Sequence, residues 1–150
     1  MMVRAFSLPS SGLRYLLGYS LVHADHVAIC SPWLSDVELR LPLGVDMPAR
    51  RMQLSEALRK FETDVEIYVR EGESHNDYIL SRLTELTSVR RVDNLHAKSI
   101  VTDGYVYIGS ANITRGGLLT NRELCEVVEN QYGDVRAYLK AELDLKPGTE

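Results

Sequence analysis

Cysteine is scarce in this chain. Only Cys30 and Cys125 occur in 150 residues, both within apolar runs and without CxxC spacing. That sets aside a disulfide scaffold, and the two thiols read as buried and free in a reducing compartment. Long hydrophobic runs are also missing: no apolar stretch reaches the roughly 18 residues a membrane span needs. The N-terminal stretch is broken near Pro9 and has no uninterrupted apolar core beside a cleavage site, so it reads as part of the fold and the protein as cytoplasmic. Basic excess is absent. Lys plus Arg is 17 against 21 for Asp plus Glu, a net charge of −4. Such a balance weighs against a protein that coats nucleic acid by bulk charge, while leaving room for a local basic groove. Low-complexity segments, linkers and internal repeats do not appear. What remains is a chain with 45% hydrophobic and 25% charged residues, ordinary for a soluble domain. Its length fits a single domain, 1–150, with a core that needs no staple.

Hydrophobic spacing divides the chain into alternating helices and strands. Residues 12–23 carry Leu13, Leu16, Leu17 and Leu21 at helical intervals behind Ser10 and Ser11. Residues 26–30 form a short β-branched apolar run that Ser31-Pro32-Trp33 stops. Residues 35–50 read as irregular, with Pro42, Gly44 and Pro48. An amphipathic helix is expected over 49–62, a strand over 65–69, a helix after Ser74 running to Leu86, and a strand over 89–92. Strands at 96–102 and 105–109 flank Asp103-Gly104, a strong short hairpin signal. A strand at 123–128 and a helix at 134–143 finish the chain. The fold class is therefore α/β, a mixed β-sheet flanked by helices on both faces.

The chemistry concentrates in residues 95–128. Side chains alternate along a strand, so His96 and Lys98 point the same way, with Ile100 and Thr102. A two-residue turn at Asp103-Gly104 pairs Ile100 with Tyr107 and Lys98 with Gly109, leaving open space beside the lysine head. Ser110 and Asn112 follow directly. An imidazole, an ammonium, a hydroxyl and a carboxamide then surround one small volume. These are the parts that hold and attack a phosphate: nucleophile, charge clamp and neutral donors.

His96-x-Lys98-x4-Asp103, followed by Gly109-Ser110-x-Asn112 and then Glu123, resembles the signature of the phospholipase D superfamily. The segment from Asp103 to Gly109 is one residue shorter than that family's usual spacing, which the tight Asp-Gly turn accounts for. The resemblance implies a phospholipase D-like domain and assigns roles. His96 would be the nucleophile that forms a phosphohistidine, with Lys98, Ser110 and Asn112 on the phosphate oxygens. Glu123 would orient a catalytic imidazole. Asp103 and Gly109 would serve structure and orientation. Trp33 reads either as a core anchor or as a cleft wall on which a base could stack. Arg115 is a candidate phosphate contact, and His75 reads chiefly as structural. No cofactor is implied, and no dense His/Cys/Asp cluster suggests a metal.

Chemistry through phosphohistidine uses two histidines, one to attack and one to protonate the leaving oxygen. His23, His26 and His75 do not lie in a second His-x-Lys. The expectation is a twofold homodimer in which the His96 side chains face each other across one shared active site. The resemblance points to a metal-independent phosphodiesterase, a nuclease on DNA or RNA, with no membrane association. It leaves room for membership in a larger helicase or restriction-type complex. The alternatives are a phospholipase or phosphatidyltransferase, and a catalytically silent nucleic-acid-binding or assembly domain.

Overall fold

The computed structural model describes residues 4–42 and 50–146. In chain order the elements begin with β1 (Ala5–Ser7), α1 (Leu13–His23), β2 (His26–Cys30), β3 (Glu38–Arg40), β4 (Arg51–Gln53) and α2 (Leu54–Lys60). They continue with β5 (Asp64–Arg70), α3 (Asp77–Leu83), β6 (Ser88–Val92), β7 (Ser99–Thr102), β8 (Tyr105–Gly109), β9 (Cys125–Glu129) and α4 (Val135–Leu143). Seven strands form one sheet in the order β1-β9-β8-β7-β2-β5-β6, and β3 and β4 pair in a separate hairpin. β2, β5 and β6 run parallel, and the strands from β7 outward are antiparallel.

β2 shows why the sheet is covered on both sides. Its alternate residues Val27 and Ile29 enter the core beneath α1, α2 and α3, among Leu13, Leu17 and Leu21. Ala28 and Cys30 face the other way, toward Val135 and Leu139 of α4. A strand buried on both faces reads as a continuous apolar run, which is what residues 26–30 are. Full burial of Leu13, Leu17 and Leu21 contributes about 2 kcal/mol each, so packing holds this helix although no side chain caps its N-terminus. α4 is capped: the Asp134 carboxylate accepts from the Ala137 amide at 2.9 Å.

Some elements depart from the sequence expectation. The helix expected over 49–62 begins only at Leu54, because Arg51, Met52 and Gln53 pair with Arg40, Leu39 and Glu38. Gly44, Pro48 and Ala49 lie outside the described residues. β7 starts at Ser99, so His96, Ala97 and Lys98 precede it outside the ladder. β9 likewise starts at Cys125, two residues beyond Glu123. β1 is an edge strand three residues long, too short and too exposed to carry an alternation signal. His26, which reads from sequence as a surface or capping residue, is instead largely buried and bonded to the Glu66 carboxylate. Glu66 also accepts from the Tyr68 hydroxyl at 2.7 Å and lies 3.5 Å from Arg136, so this buried acid is fully partnered.

Cys30 and Cys125 are free and buried. Burial, aided by the Glu66 carboxylate, pushes the Cys30 thiol up from its ordinary value of 9.0 to about 12. Burial is also the main reason the Tyr68 and Tyr107 hydroxyls are raised. All three groups are therefore held protonated by the fold, whereas the unfolded chain ionises at the ordinary values. Their contribution to stability is intact below pH 9 and falls as pH rises toward about 12. Urea midpoints measured from pH 7 to pH 11 should stay level and then decline above pH 9, and Cys30 should resist alkylation until the chain unfolds.

Candidate active site

All the candidate residues but Asp103 lie toward one end of the sheet, where the parallel strands β2 and β5 end and β7 begins. Cys30 pairs with Ser99, and Ser99 with Ile108, so the segments 31–33, 96–98 and 110–112 leave the sheet side by side. Clefts beyond the carboxyl ends of strands are where open α/β sheets bind ligands. The β7–β8 register places Ile100 opposite Tyr107 and Ser99 opposite Ile108. Continued by one residue, it sets Lys98 opposite Gly109.

The approach to β7 sorts its residues by face. After β6 the chain turns through Asn94, whose φ of 59° is left-handed. Leu95 is then buried on the α4 side, where Ala97 also packs. His96 lies between them and is exposed. Lys98 is half-buried, and its Nζ donates to the His96 carbonyl at 2.9 Å, which holds the ammonium beside the histidine. Among the described residues the His96 imidazole has no hydrogen-bond partner.

The Ser110–Asn112 turn is held from below. The Tyr107 hydroxyl accepts from the Ala111 amide at 3.0 Å and donates to the Ala111 carbonyl at 2.9 Å. Ser31 accepts from the Ile113 amide at 2.9 Å, tying the turn to the loop after β2. Asn112 Oδ1 accepts from the Trp33 amide at 3.1 Å. With the oxygen so used, the Asn112 Nδ2 amide is the end left without a partner among the described residues, a neutral donor at the strand edge.

Ser110 and Glu123 form a unit. Ser110 Oγ donates to Glu123 Oε1 at 2.6 Å and accepts from the Leu124 amide at 2.9 Å. Asn121 donates to the other oxygen of Glu123 at 3.1 Å. Within one chain, then, Glu123 engages Ser110 and Asn121, and the Ser110 proton is already committed. Asp103 sits at the far end of β7 from His96, where its carboxylate accepts from the Val135 amide at 2.9 Å and steadies the start of α4. Arg115 lines a cavity of about 350 Å³ with Arg14, Ser35 and Gln53, and no described residue pairs with its guanidinium.

Trp33 is no core anchor: it is 47% exposed and stacked on His75, with ring centroids 5.5 Å apart. The support of this loop was missed from sequence. Asn76 is fully buried, accepts from the Leu34 amide and donates to the Pro32 carbonyl, each at 2.8 Å. An asparagine inside a polar Ser-His-Asn-Asp run carries no signal that it will be buried. Gly117 could have been suspected from the Gly-Gly pair; a Cβ there would fall 2.1 Å from the Asn112 carbonyl oxygen. From sequence, Gly109 reads as leaving open space beside Lys98. A Cβ there would instead meet the Leu124 carbonyl oxygen at 2.2 Å and the Tyr107 ring at 2.8 Å, so close packing is what requires glycine. Among the described residues no group of three or more His, Cys, Asp or Glu side chains is arranged to hold a metal. No helix among them is long and apolar enough to cross a membrane.

These features define an α/β domain with a polar site at the carboxyl ends of its parallel strands. The family model for the cardiolipin synthase, PLD-like domain matches residues 21–144, and the chain belongs to this phospholipase D-like family. Among solved structures it is similar to Nuc, a phospholipase D family member from Salmonella typhimurium, with 19% identity and a TM-score of 0.66 over 95% of this chain and 92% of that one. It is also similar to NucT from Helicobacter pylori, with 16% identity and a TM-score of 0.56 over 94% and 91% of the two chains. At such identities the likeness is one of fold. No curated protein matches the chain significantly.

Gly109→Ala should cost about 2 kcal/mol, because backbone rather than a pliable side chain opposes the added methyl. Urea unfolding measures this, and an unchanged midpoint would contradict the close packing described.

Proposed function

We propose that the chain is a phosphodiesterase acting on DNA or RNA, and that its active site is shared by two copies. The observation that carries the reading is the exposed, unpartnered His96 imidazole two residues from Lys98, whose ammonium is held on the His96 carbonyl, at the same end of the sheet as the free Asn112 amide. Imidazole supplies the nucleophile, and the ammonium and amide offset charge on the non-bridging oxygens. His96 of one protomer attacks phosphorus, and the bond from phosphorus to the leaving oxygen breaks. The second His96, protonated, gives its proton to that oxygen. It then takes a proton from water as the water oxygen attacks phosphorus and the phosphorus–nitrogen bond breaks, which frees the first His96 and releases a phosphomonoester. Lysine and neutral donors balance the phosphate charge in this scheme, so no metal is called for.

Two features support a second copy. One chain leaves His96 without an orienting carboxylate, while Glu123 stands at the strand edge anchored by Ser110 and Asn121. Beside Glu123, Leu124 is 83% exposed and Ile108 is 43% exposed, an apolar patch that a neighbouring protomer would cover. Facing protomers would bring each Glu123 toward the opposite His96 and hold its tautomer.

The family's own description favours a second reading, transfer or hydrolysis at a phospholipid phosphodiester. A panel of oligonucleotides and phospholipid vesicles separates the two. The proposal expects oligonucleotide cleavage that is unaffected by EDTA, lost in His96→Ala with the fold retained, and at least a thousandfold reduced in Lys98→Ala. Light scattering at micromolar protein should give a dimer. Lipid turnover without oligonucleotide cleavage would select the second reading, and an active monomer would overturn the shared site.

A further inference from the structure

Trp33 and His75 form an aromatic ledge at the edge of the candidate site. The ledge is built rather than incidental. Pro32 and Leu34, on either side of Trp33, are both bonded to the buried Asn76 side chain. Asn76 directly follows His75, so one buried amide fixes the relative position of the two rings. Ser35 adds a hydrogen bond to His75 Nε2 at 3.2 Å. The rings are inclined by only 27° with centroids 5.5 Å apart. One face of the indole is thus covered by imidazole, yet Trp33 remains 47% exposed. The backbone amide of Trp33 is itself bonded to Asn112 Oδ1 at 3.1 Å, which puts the ledge next to the free Asn112 amide.

An aromatic surface held half in water by a buried scaffold costs the fold hydrophobic burial on its open face. Apolar ring faces next to a phosphate donor suit a ligand that presents a flat ring beside a phosphodiester. A nucleobase does so only when unpaired, since in a duplex both of its faces are covered by neighbouring base pairs. Lipid headgroups carry no flat ring.

We infer that Trp33, backed by His75, is a stacking platform for an unpaired base next to the scissile phosphate, and that the substrate is therefore single-stranded nucleic acid. The inference rests on the nucleic-acid reading proposed above and names the strandedness that reading leaves open.

The chain contains one tryptophan, so its fluorescence reports on this position alone. The test uses the whole 150-residue chain carrying His96→Ala, so that binding is followed without cleavage, and titrates it with an oligo(dT) of about 12 nucleotides, an abasic strand of equal length, and a duplex. Anisotropy of a labelled strand reports binding independently. The expected result is quenching by oligo(dT) and little by the abasic strand or the duplex. Adding Trp33→Ala should weaken oligo(dT) binding about tenfold while leaving abasic-strand binding within about twofold, and Trp33→Phe should recover most of the loss. If all three ligands quench equally, or Trp33→Ala binds oligo(dT) as tightly as its parent, the platform is wrong although nucleic acid still binds. If anisotropy shows no binding of any strand, the nucleic-acid reading fails and the platform with it.

Discussion

The register of the β7–β8 hairpin is the constraint on which the site depends. A strand has a period of two, so a slip of one residue in β7 would exchange the faces of Ile100 and Val101, which pack into the two separate cores. The turn prevents that slip. Thr102 Oγ1 accepts from the Tyr105 amide at 3.0 Å and donates to the Tyr105 carbonyl at 2.9 Å. Asn130 donates to the Thr102 carbonyl at 2.8 Å, and Asp103 holds the start of α4. The same register puts Tyr107 under the turn after β8, where its hydroxyl fixes Ala111 and thereby the flanking Ser110 and Asn112. The residues of the motif furthest from the chemistry thus set the positions of those nearest to it.

Division of labour follows from burial. The groups that shape the site are buried and hydrogen-bonded: Tyr107, Ser31 and Asn76. The groups proposed to meet substrate lie at the surface: His96 and Trp33 exposed, Lys98 and Asn112 half-buried. Satisfied polar groups in a low-dielectric interior are rigid, and rigidity is what the proposed phosphate site needs. The surface the edge presents is open. His96 borders a depression with the end of α4, whereas Gly109 and Glu123 line another with Leu124. A monomer so arranged divides its chemical groups between separate shallow surfaces, and juxtaposing two copies is an economical way to enclose them.

Much of this was legible in the sequence, for identifiable reasons. The doubly buried β2, the Asp-Gly hairpin and its register, and the C-terminal helix all follow from periodicity and turn chemistry, which act over a few residues. The motif marked the strand edge because its residues are close in sequence as well as in space. What stayed hidden depends on distant partners. The pairing of β3 with β4 shortens a helix that local propensity favours from position 49. His26 is drawn inward by Glu66, 40 residues away. Trp33 left both readings open because its exposure is decided by Asn76. The close packing at Gly109 has no local signal, since the Leu124 carbonyl that crowds it belongs to another strand's approach.

The central claim is that one active site takes a His96 from each of two chains, and subunit mixing tests it most directly. Wild-type and His96→Ala chains, mixed in equal amounts and allowed to exchange, should retain about a quarter of the activity of the same total amount of wild-type protein, because only dimers with two histidines work. Activity of about half, linear in the wild-type fraction, would show that each chain acts alone and would contradict the account.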